Sequence, residues 1–438
     1  MSVLAFLVSC TRDDNFSFKR GEASGPAESW ATVTRTESDE TRNVLILYSA
    51  GLNDLCQYLD DDIRELPKGY VPQKGNRADH VFLVYSRLTK RNENTGVCDK
   101  YSKEPTESVL FRLYSDSGKV VHDTLKVWGR EVNACSPETV REVLQFAYDR
   151  FPAKGYGMVL SSHASGWLPS GYYFNPSKYD SEYSEGNTIW TSSIRRFTQE
   201  QYPPIDPYPA VKSVGQDNLE TPVEMNLEAF ADAIPFHLDY LLFDACLMGC
   251  VEVAYQLRGK ADVVGFSQTE VLANGFDYHT LASRLLKDTP DPLAVCQDYF
   301  SFYEAQTGDY HSATISLVDT RKMEPLADVC KTLFEKYRDK INSLGGYSVQ
   351  GYFRFGRHFF YDLKDILKKA GITPEEEAAL DAALSQCVLY KAATDHFLSF
   401  TIKSACGFSM YLPSMGSGYL DNYYRTSLAW NKDTELVK

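Results

Sequence analysis

The sequence predicts an α/β fold in which a mainly parallel sheet is covered by helices on both faces. The run Asn43–Ser49 is apolar almost throughout, as is typical of a strand buried on both sides. A second such run lies at His80–Leu88. Between later strands, Pro137–Phe151 has apolar residues at helical spacing and Ser136 as its expected cap. Strands of this kind that alternate with helices indicate parallel βαβ connections.

The other predicted elements continue this alternation. They are the strand Ser108–Tyr114, the strand Gly155–Ser162, the helix Asn226–Ile234, the apolar strand 241–243, the helix Met248–Leu257 and the strand Asp262–Ser267. The C-terminal part adds the strand Ala313–Val318, the helices Lys322–Ile341 and Thr373–Tyr390, and the strand Cys406–Leu412. We interpret this part as a helical extension of the same domain, because no linker rich in Gly, Pro or Ser marks a boundary.

Composition and charge narrow the class of protein. Of the 438 residues, 43% are hydrophobic and 24% are charged, which is ordinary for a globular protein. The net charge of −14 argues against a nucleic-acid partner, which requires a basic face. The acidic balance favours attraction of basic polypeptides instead. After the N-terminus, no apolar stretch is long enough to span a membrane.

The first 41 residues read as a targeting segment and a tether rather than as part of the fold. Ser2–Ser9 is a short apolar run followed by Cys10, and Thr11–Arg42 is polar. This pattern resembles the end of a bacterial lipoprotein signal, in which Cys10 would carry the lipid. The run is short and lacks a preceding Lys or Arg, so a disordered apolar tail is the alternative. The first interpretation predicts a protein that is secreted or lipid-anchored in the cell envelope, with no other membrane contact.

The most informative residues follow the strand 241–243. Cys246 is expected at the carboxyl edge of the sheet, where ligands bind in open α/β folds. A helix that begins beside it would lower the pKa of its thiol. Asp244 lies two residues earlier and so points to the same side of the strand, where it could form the floor of a pocket for a cation.

His163 supplies a partner for this thiol. It follows the strand Gly155–Ser162, so it meets Cys246 if the two strands are neighbours. Each residue also has a structural interpretation: Cys246 as a buried apolar residue, His163 as a hydrogen-bonded loop residue, and Asp244 as a helix cap. Cys250 is expected one turn into the helix, in the core.

Five segments together resemble the clostripain family of cysteine peptidases. They are HASGW at 163–167, KSVGQD at 212–217, FDACLMGCVEVAYQL at 243–257, SQTEVLANGFDY at 267–278 and GFSMYLP at 407–413. The resemblance covers roughly residues 41–413, in the same order along the chain. It implies a caspase-like fold with a His–Cys dyad. We therefore assign residues 42–415 to a catalytic domain, on which a C-terminal tail at 416–438 packs.

The resemblance also implies roles for single residues. Cys246 matches the nucleophile, His163 the dyad histidine and Asp244 the acid that selects Arg or Lys before the cut. The N–H groups of Ala164 and Cys246 match the oxyanion hole. The family usually has Gly at the position of Ala164, so a required positive φ would strain this residue. Glu270 and Asp277 are weaker candidates for a second acid in the basic pocket.

An insertion at 168–225 separates the two dyad residues. Family members can be activated by self-cleavage in this linker after a basic residue. The candidates are Lys178, Arg195, Arg196 and Lys212, with the Arg195–Arg196 pair preferred because its surroundings are polar. An ordered lid that is never cut is the alternative.

The leading hypothesis is a zymogen of a cysteine endopeptidase that cleaves polypeptides after Arg or Lys, acting as a monomer. A catalytically weak, surface-tethered binding protein on a peptidase scaffold is the alternative, and an acyl transferase or ligase is a weaker third class. The chemistry requires no cofactor. Some relatives depend on calcium, for which the acidic run Asp60–Asp62 offers carboxylates, although a solvated patch explains that run equally.

The scattered cysteines form no CxxC motif; Cys98 and Cys135, in polar contexts, are the candidates for a disulfide.

Overall fold

A nine-stranded sheet forms the centre of the fold. The computed structural model describes residues 42–74, 80–99, 102, 104–172, 176–179, 211–212, 225–354 and 358–438. The strands are β1 (Asn43–Gly51), β2 (Val81–Leu88), β3 (Ser108–Asp116), β4 (Lys119–Trp128), β5 (Gly155–Ser161), β6 (Val211–Lys212), β7 (Leu238–Asp244), β8 (Ala261–Phe266), β9 (Val271–Leu272), β10 (Thr314–Asp319), β11 (Tyr361–Asp362), β12 (Val388–Ala393), β13 (His396–Phe397), β14 (Phe400–Thr401) and β15 (Ser409–Met410).

The main sheet has the order β12-β10-β8-β7-β5-β1-β2-β3-β4. The central strands β8, β7, β5, β1 and β2 run parallel to one another. At one edge β10 is antiparallel to both β8 and β12, and at the other β3 is antiparallel to both β2 and β4. Strands β1 and β7 are buried almost along their whole length, as strands covered on both faces must be. The predicted α/β fold with a mainly parallel sheet is confirmed.

Helices cover this sheet and dominate the C-terminal part. They are α1 (Cys56–Glu65), α2 (Pro137–Arg150), α3 (Pro176–Tyr179), α4 (Leu227–Ala233), α5 (Val251–Gln256), α6 (Tyr278–Leu285), α7 (Pro292–Glu304), α8 (Met323–Asn342), α9 (Leu363–Ala370), α10 (Pro374–Cys387), α11 (Gly418–Ser427) and α12 (Ala429–Thr434). The tail at 416–438 forms α11 and α12, with Tyr424 and Trp430 fully buried. None of the helices in the described ranges is long and apolar enough to cross a membrane.

The sequence interpretation differs from the structure at three places in the C-terminal part and the sheet edge. The strand β4 was not predicted, because its residues alternate between exposed and half-buried and carry several charges. It follows β3 through a tight turn with positive φ at Ser117 and Gly118. The helix at Thr373 has the predicted cap, but it ends at Cys387, where β12 begins. Within 406–412, only Ser409–Met410 is a strand, and it pairs with β11 outside the main sheet.

No disulfide joins the cysteines of the described residues. Cys98 is buried together with Cys56 in a small cluster formed mainly by Leu55, Leu59 and Leu88, so the pairing of Cys98 with Cys135 is not formed. A hydrogen bond between the two thiols lowers the pKa of Cys56. The apolar surroundings, invisible in the local sequence, explain why a cysteine in a polar segment is nevertheless in the core.

Candidate active site

The predicted dyad residues lie at the same edge of the sheet. Strands β5 and β7 are parallel neighbours, and Ser161 pairs with Asp244 in their register. His163 and Cys246 each follow this pair by two residues. Because both parallel strands end at this edge of the sheet, His163 and Cys246 lie at the same edge, as the sequence predicted.

His163 is held by a carboxylate that the sequence analysis missed. Its ring is buried, and its Nε2 atom lies 2.8 Å from Oδ1 of Asp54, whose side chain is 56% exposed. Asp54 belongs to the turn after β1, the other neighbour of β5. When Nε2 donates its hydrogen to Asp54, Nδ1 is an acceptor. This Nδ1 is buried and has no hydrogen-bond partner among the described residues. The imidazole is therefore fixed at one nitrogen and available as a base at the other.

Cys246 lies in a tight turn that is clamped by the segment 267–271. The N–H of Leu247 donates to Thr269 O at 2.9 Å, and that of Gly249 donates to Ser267 O at 2.7 Å. The N–H of Val271 points at Sγ of Cys246 at a distance of 3.1 Å. A backbone N–H in this position stabilises the charged form of a thiol.

This turn corrects the predicted helix start. Helix α5 begins at Val251 rather than Met248, and Cys250 is its N-cap residue, buried as expected but not within the helix. Cys246 therefore precedes the helix by more than one turn, and at that distance the helix dipole has little effect on it. Leu247 has a φ of +61°, an uncommon conformation for a leucine, which bends the chain sharply behind Cys246. In place of a helix N-terminus, the N–H of Val271 contacts the Cys246 thiol.

Asp244, the last residue of β7, is fully buried. The hydroxyl of Tyr278 donates to its Oδ2 at 2.7 Å, and the hydroxyl of Ser161 lies 3.5 Å from the same atom. Burial, and next the charge of Asp244, raise the pKa of Tyr278, so the phenol remains a donor. Asp244 is thus a buried carboxylate with the hydroxyl groups of Tyr278 and Ser161 beside it. It does not cap the following helix.

The two weaker pocket candidates have other neighbours in the structure. Glu270 is buried and forms an ion pair with Arg354, with Oε2 at 3.1 Å from Nε. Asp277 caps α6, since its Oδ1 accepts from the N–H of His279 at 3.0 Å. Both side chains are held by these contacts, although Glu270 directly precedes Val271.

Ala164 has an ordinary backbone conformation. The non-glycine residues with positive φ in the described ranges are Ser117, Leu247, Leu398 and Glu435. Ala164 is therefore free of the strain that a left-handed conformation would impose on it. In the following loop, the positive φ falls on Gly166, where a Cβ atom would meet Leu247 O at 2.6 Å.

Part of the insertion between the dyad residues reaches this site. Strand β6 pairs antiparallel with β9, with Val211 opposite Leu272 and Lys212 opposite Val271. Lys212 is thus paired with the residue whose N–H contacts the Cys246 thiol. Of the other candidate cleavage sites, Lys178 is exposed on α3, whereas Arg195 and Arg196 lie outside the described residues. The tether at 1–41, with Cys10, and most of 168–225 lie outside them too.

The acidic run on α1 is engaged by basic side chains. Asp60 forms ion pairs with Arg64, at 3.0 Å, and with Arg91. Within the described ranges, no group of three or more His, Cys, Asp or Glu side chains could hold a metal ion.

Comparisons with known proteins bear on the family and the fold of this chain. The model of the clostripain family matches residues 47–206 and 198–436. The search of curated proteins finds no match. Among solved structures, an inactive zymogen C11 protease from Parabacteroides distasonis has a TM-score of 0.68 at 24% identity, covering 92% of this chain and 99% of its own. A secreted C11 cysteine protease from Bacteroides thetaiotaomicron, in complex with an irreversible peptide inhibitor, has a TM-score of 0.67 at 22% identity, with 90% and 99% covered.

At these identities the likeness to solved structures establishes the fold, and the family model establishes the membership. The matched segments together include His163 and Cys246, the predicted dyad, and extend over nearly all of the described chain. The predicted family resemblance is confirmed, and the chain belongs to the clostripain family of cysteine peptidases.

Proposed function

We propose that the protein is an endopeptidase that cleaves after Arg or Lys and is activated by its own cut after Lys212. The observation that carries the proposal is the pairing of Lys212 with Val271, because it lays a basic residue of the chain beside the predicted nucleophile. Peptide substrates commonly bind by adding a strand to an exposed edge, and β6 adds to β9 in this way.

In the proposed reaction, His163 takes the proton of the Cys246 thiol and the thiolate attacks the scissile carbonyl. The N–H groups of Ala164 and Cys246 stabilise the oxyanion. The imidazolium, stabilised by Asp54, then protonates the leaving amine, which leaves an acyl-enzyme. Water attacks this thioester with His163 as the base, which releases the acid product and restores the thiol.

Asp244 is proposed as the floor of the pocket for the basic side chain. A buried carboxylate binds a guanidinium or ammonium group strongly because water does not screen the pair. The hydroxyl of Tyr278 holds one oxygen of Asp244 at 2.7 Å and keeps the carboxylate oriented. An apolar side chain in the same pocket would leave this charge without a counter-ion, so discrimination against Leu follows.

Latency of the intact chain is the second part of the proposal. Cys246 and Asp244 are both fully buried, so neither can meet a substrate without movement of the surrounding segments. The strand β6 occupies the edge of β9 that a substrate would use. A cut after Lys212 would release this strand. Lys212 is favoured over the Arg195–Arg196 pair on this ground, which revises our preference from sequence alone.

We also propose that the protein acts on polypeptides outside the cytoplasm, either secreted or anchored by a lipid on Cys10. The Bacteroides thetaiotaomicron relative of similar fold is a secreted protease. The proposal of a lipid anchor is supported by the apolar run that precedes Cys10. Incorporation of a labelled fatty acid into the wild-type chain, and its loss in Cys10→Ala, tests this part separately.

The test of the activity uses chain from residue 42 onward and peptides that end in Arg, Lys, Asp or Leu before a fluorogenic amine. Turnover of the Arg and Lys peptides is expected to be far faster than that of the Asp and Leu peptides, and all turnover should be lost in Cys246→Ala. Mass spectrometry should find a cut after Lys212 that Lys212→Ala prevents, whereas the control Lys178→Ala is still cut. Turnover of the Asp or Leu peptides as fast as that of the Arg and Lys peptides would refute the pocket, and a cut after Arg196 in place of Lys212 in wild type would refute Lys212 as the activation site.

A further inference from the structure

A cavity of about 90 Å³ lies at the catalytic edge of the sheet, and the proposed reaction leaves it unused. Its wall is largely apolar and includes Leu160, Leu227, Phe230 and Phe243. It also includes His163 and the three residues that follow it. The cavity therefore adjoins the residue that handles the leaving group, although it is separate from Asp244.

The alternation of side chains in the two strands places this cavity on the opposite face of the sheet from the acidic pocket. Leu160 and Phe243 line the cavity. The next residues along each strand, Ser161 and Asp244, approach each other at 3.5 Å on the other face. The edge of the sheet thus carries an acidic site on one face and an apolar site on the other.

The position of His163 relates these two sites to the two sides of the scissile bond. In the proposed function, the basic residue before the cut occupies the Asp244 face. The amine that leaves is protonated by His163, which lines the apolar cavity. The first residues after the cut therefore start at the mouth of this cavity.

We propose that this cavity is the subsite for an apolar side chain on the leaving-group side of the scissile bond. The inference rests on the proposed function and adds a second element of specificity to it. A substrate would be recognised by a basic residue before the cut and an aliphatic residue, such as Val or Leu, at the first or second position after it.

The size and polarity of the wall define the ligand. A dry protein cavity of about 150 Å³ accommodates benzene, so one of about 90 Å³ suits a branched aliphatic side chain rather than an indole. The hydroxyl of Ser162 in the wall already donates to Ala50 O at 2.8 Å. The wall contains no carboxylate, ammonium or guanidinium group among the described residues. A charged side chain would therefore lose its hydration here without gaining a partner.

The experiment uses the activated enzyme and internally quenched peptides with Lys before the cut. Leu, Phe, Ser or Asp is placed in turn at the first and at the second position after it. A value of kcat/KM about tenfold to a hundredfold higher for Leu than for Asp at one of these positions is expected, as for burial of an aliphatic side chain.

Two variants assign such a preference to the cavity. Ala134→Leu fills the cavity and should remove most of the preference for Leu, whereas Phe230→Ala enlarges it and should shift the preference towards Phe. Phe236→Ala is the matched control, because Phe236 precedes β7 at the other end of the sheet and stacks on Tyr148. Thermal unfolding and titration of Cys246 with an irreversible thiol reagent identify any variant that fails to fold.

The outcomes separate this inference from the proposed function. A fluorogenic Lys peptide carries no residue after the cut and reports on the proposed function alone. Turnover of that peptide with equal rates for Leu, Ser and Asp would overturn the subsite and leave the activity standing. Preference for Leu that persists in both Ala134→Leu and Phe230→Ala would overturn the cavity as its location. A silent fluorogenic peptide after the chain has been cut would overturn both.

Discussion

Substitution of Asp244 by Asn should convert charge-based recognition into a weak, neutral contact. Asn has nearly the same shape, so its side-chain oxygen can still accept from the hydroxyl of Tyr278, which holds Oδ2 of Asp244 at 2.7 Å. Removal of one partner from a buried charge pair costs about 2–5 kcal/mol. Because one carboxylate oxygen is already committed to Tyr278, we expect the middle of this range, about 3 kcal/mol. That corresponds to a fall of about two orders of magnitude in kcat/KM.

The assay compares kcat/KM for peptides with Arg and with Leu before the cut, in wild-type and Asp244→Asn enzymes activated in the same way. The fall should be confined to the Arg peptide. Asp239→Asn, at the opposite end of the same strand β7, is the control and should change neither value appreciably. An equal fall for both peptides would mean that Asp244 supports the site rather than selects the substrate, and an unchanged Arg peptide would refute the pocket assignment.

Three further perturbations test other parts of the argument. Asp54→Asn should lower kcat about tenfold to a hundredfold with little change in KM. This loss is smaller than that expected for a fully buried triad acid, because the Asp54 side chain is 56% exposed. An unchanged kcat would show that the contact between Asp54 and His163 does not contribute to catalysis. Burial raises the pKa of Glu252 to about 7. The folded state therefore holds a proton there that the unfolded chain releases near 4.5, so Glu252 contributes stability that is lost as pH rises through about 7. Glu252→Gln should flatten this part of the pH dependence of the melting temperature, and an identical profile would contradict the assignment. Arg354→Met should lower the free energy of unfolding by about 3–5 kcal/mol in chemical denaturation, because the buried Glu270 loses its ion pair with Arg354. The double variant with Glu270→Gln should recover much of this loss. An equal loss in both variants would refute the ion pair as the cause.

The sequence was most informative where strands are buried and parallel. The apolar runs at Asn43–Ser49 and 241–243 predict strands without reference to distant contacts, and His163 and Cys246 then share an edge by topology alone. The fold and family predictions are confirmed. The roles of His163, Cys246 and Asp244 remain predictions, which the geometry supports.

What escaped prediction depends on contacts between distant segments. Asp54 follows β1, and nothing in its local sequence indicates that β1 and β5 are neighbours, although the strand order supplies the link once it is known. Val271 contributes a backbone N–H, which carries no sequence signature. The late start of α5 was hidden because Met248–Cys250 continue a helical pattern of apolar residues while the chain bends at Leu247.

The short pairing between β6 and β9 should affect the time course of activity assays on this protein. A segment tethered to the enzyme that it blocks competes at an effective concentration of the order of millimolar for short flexible connections, whatever the dilution of the sample. Added peptides at micromolar concentration would lose to such a competitor. Intact chain should therefore ignore active-site probes that the cut chain binds, and progress curves should show a lag that shortens with pre-incubation of the enzyme rather than with added substrate. We expect the length of this lag to report the rate of the proposed cut after Lys212, which is paired with Val271 in the intact chain.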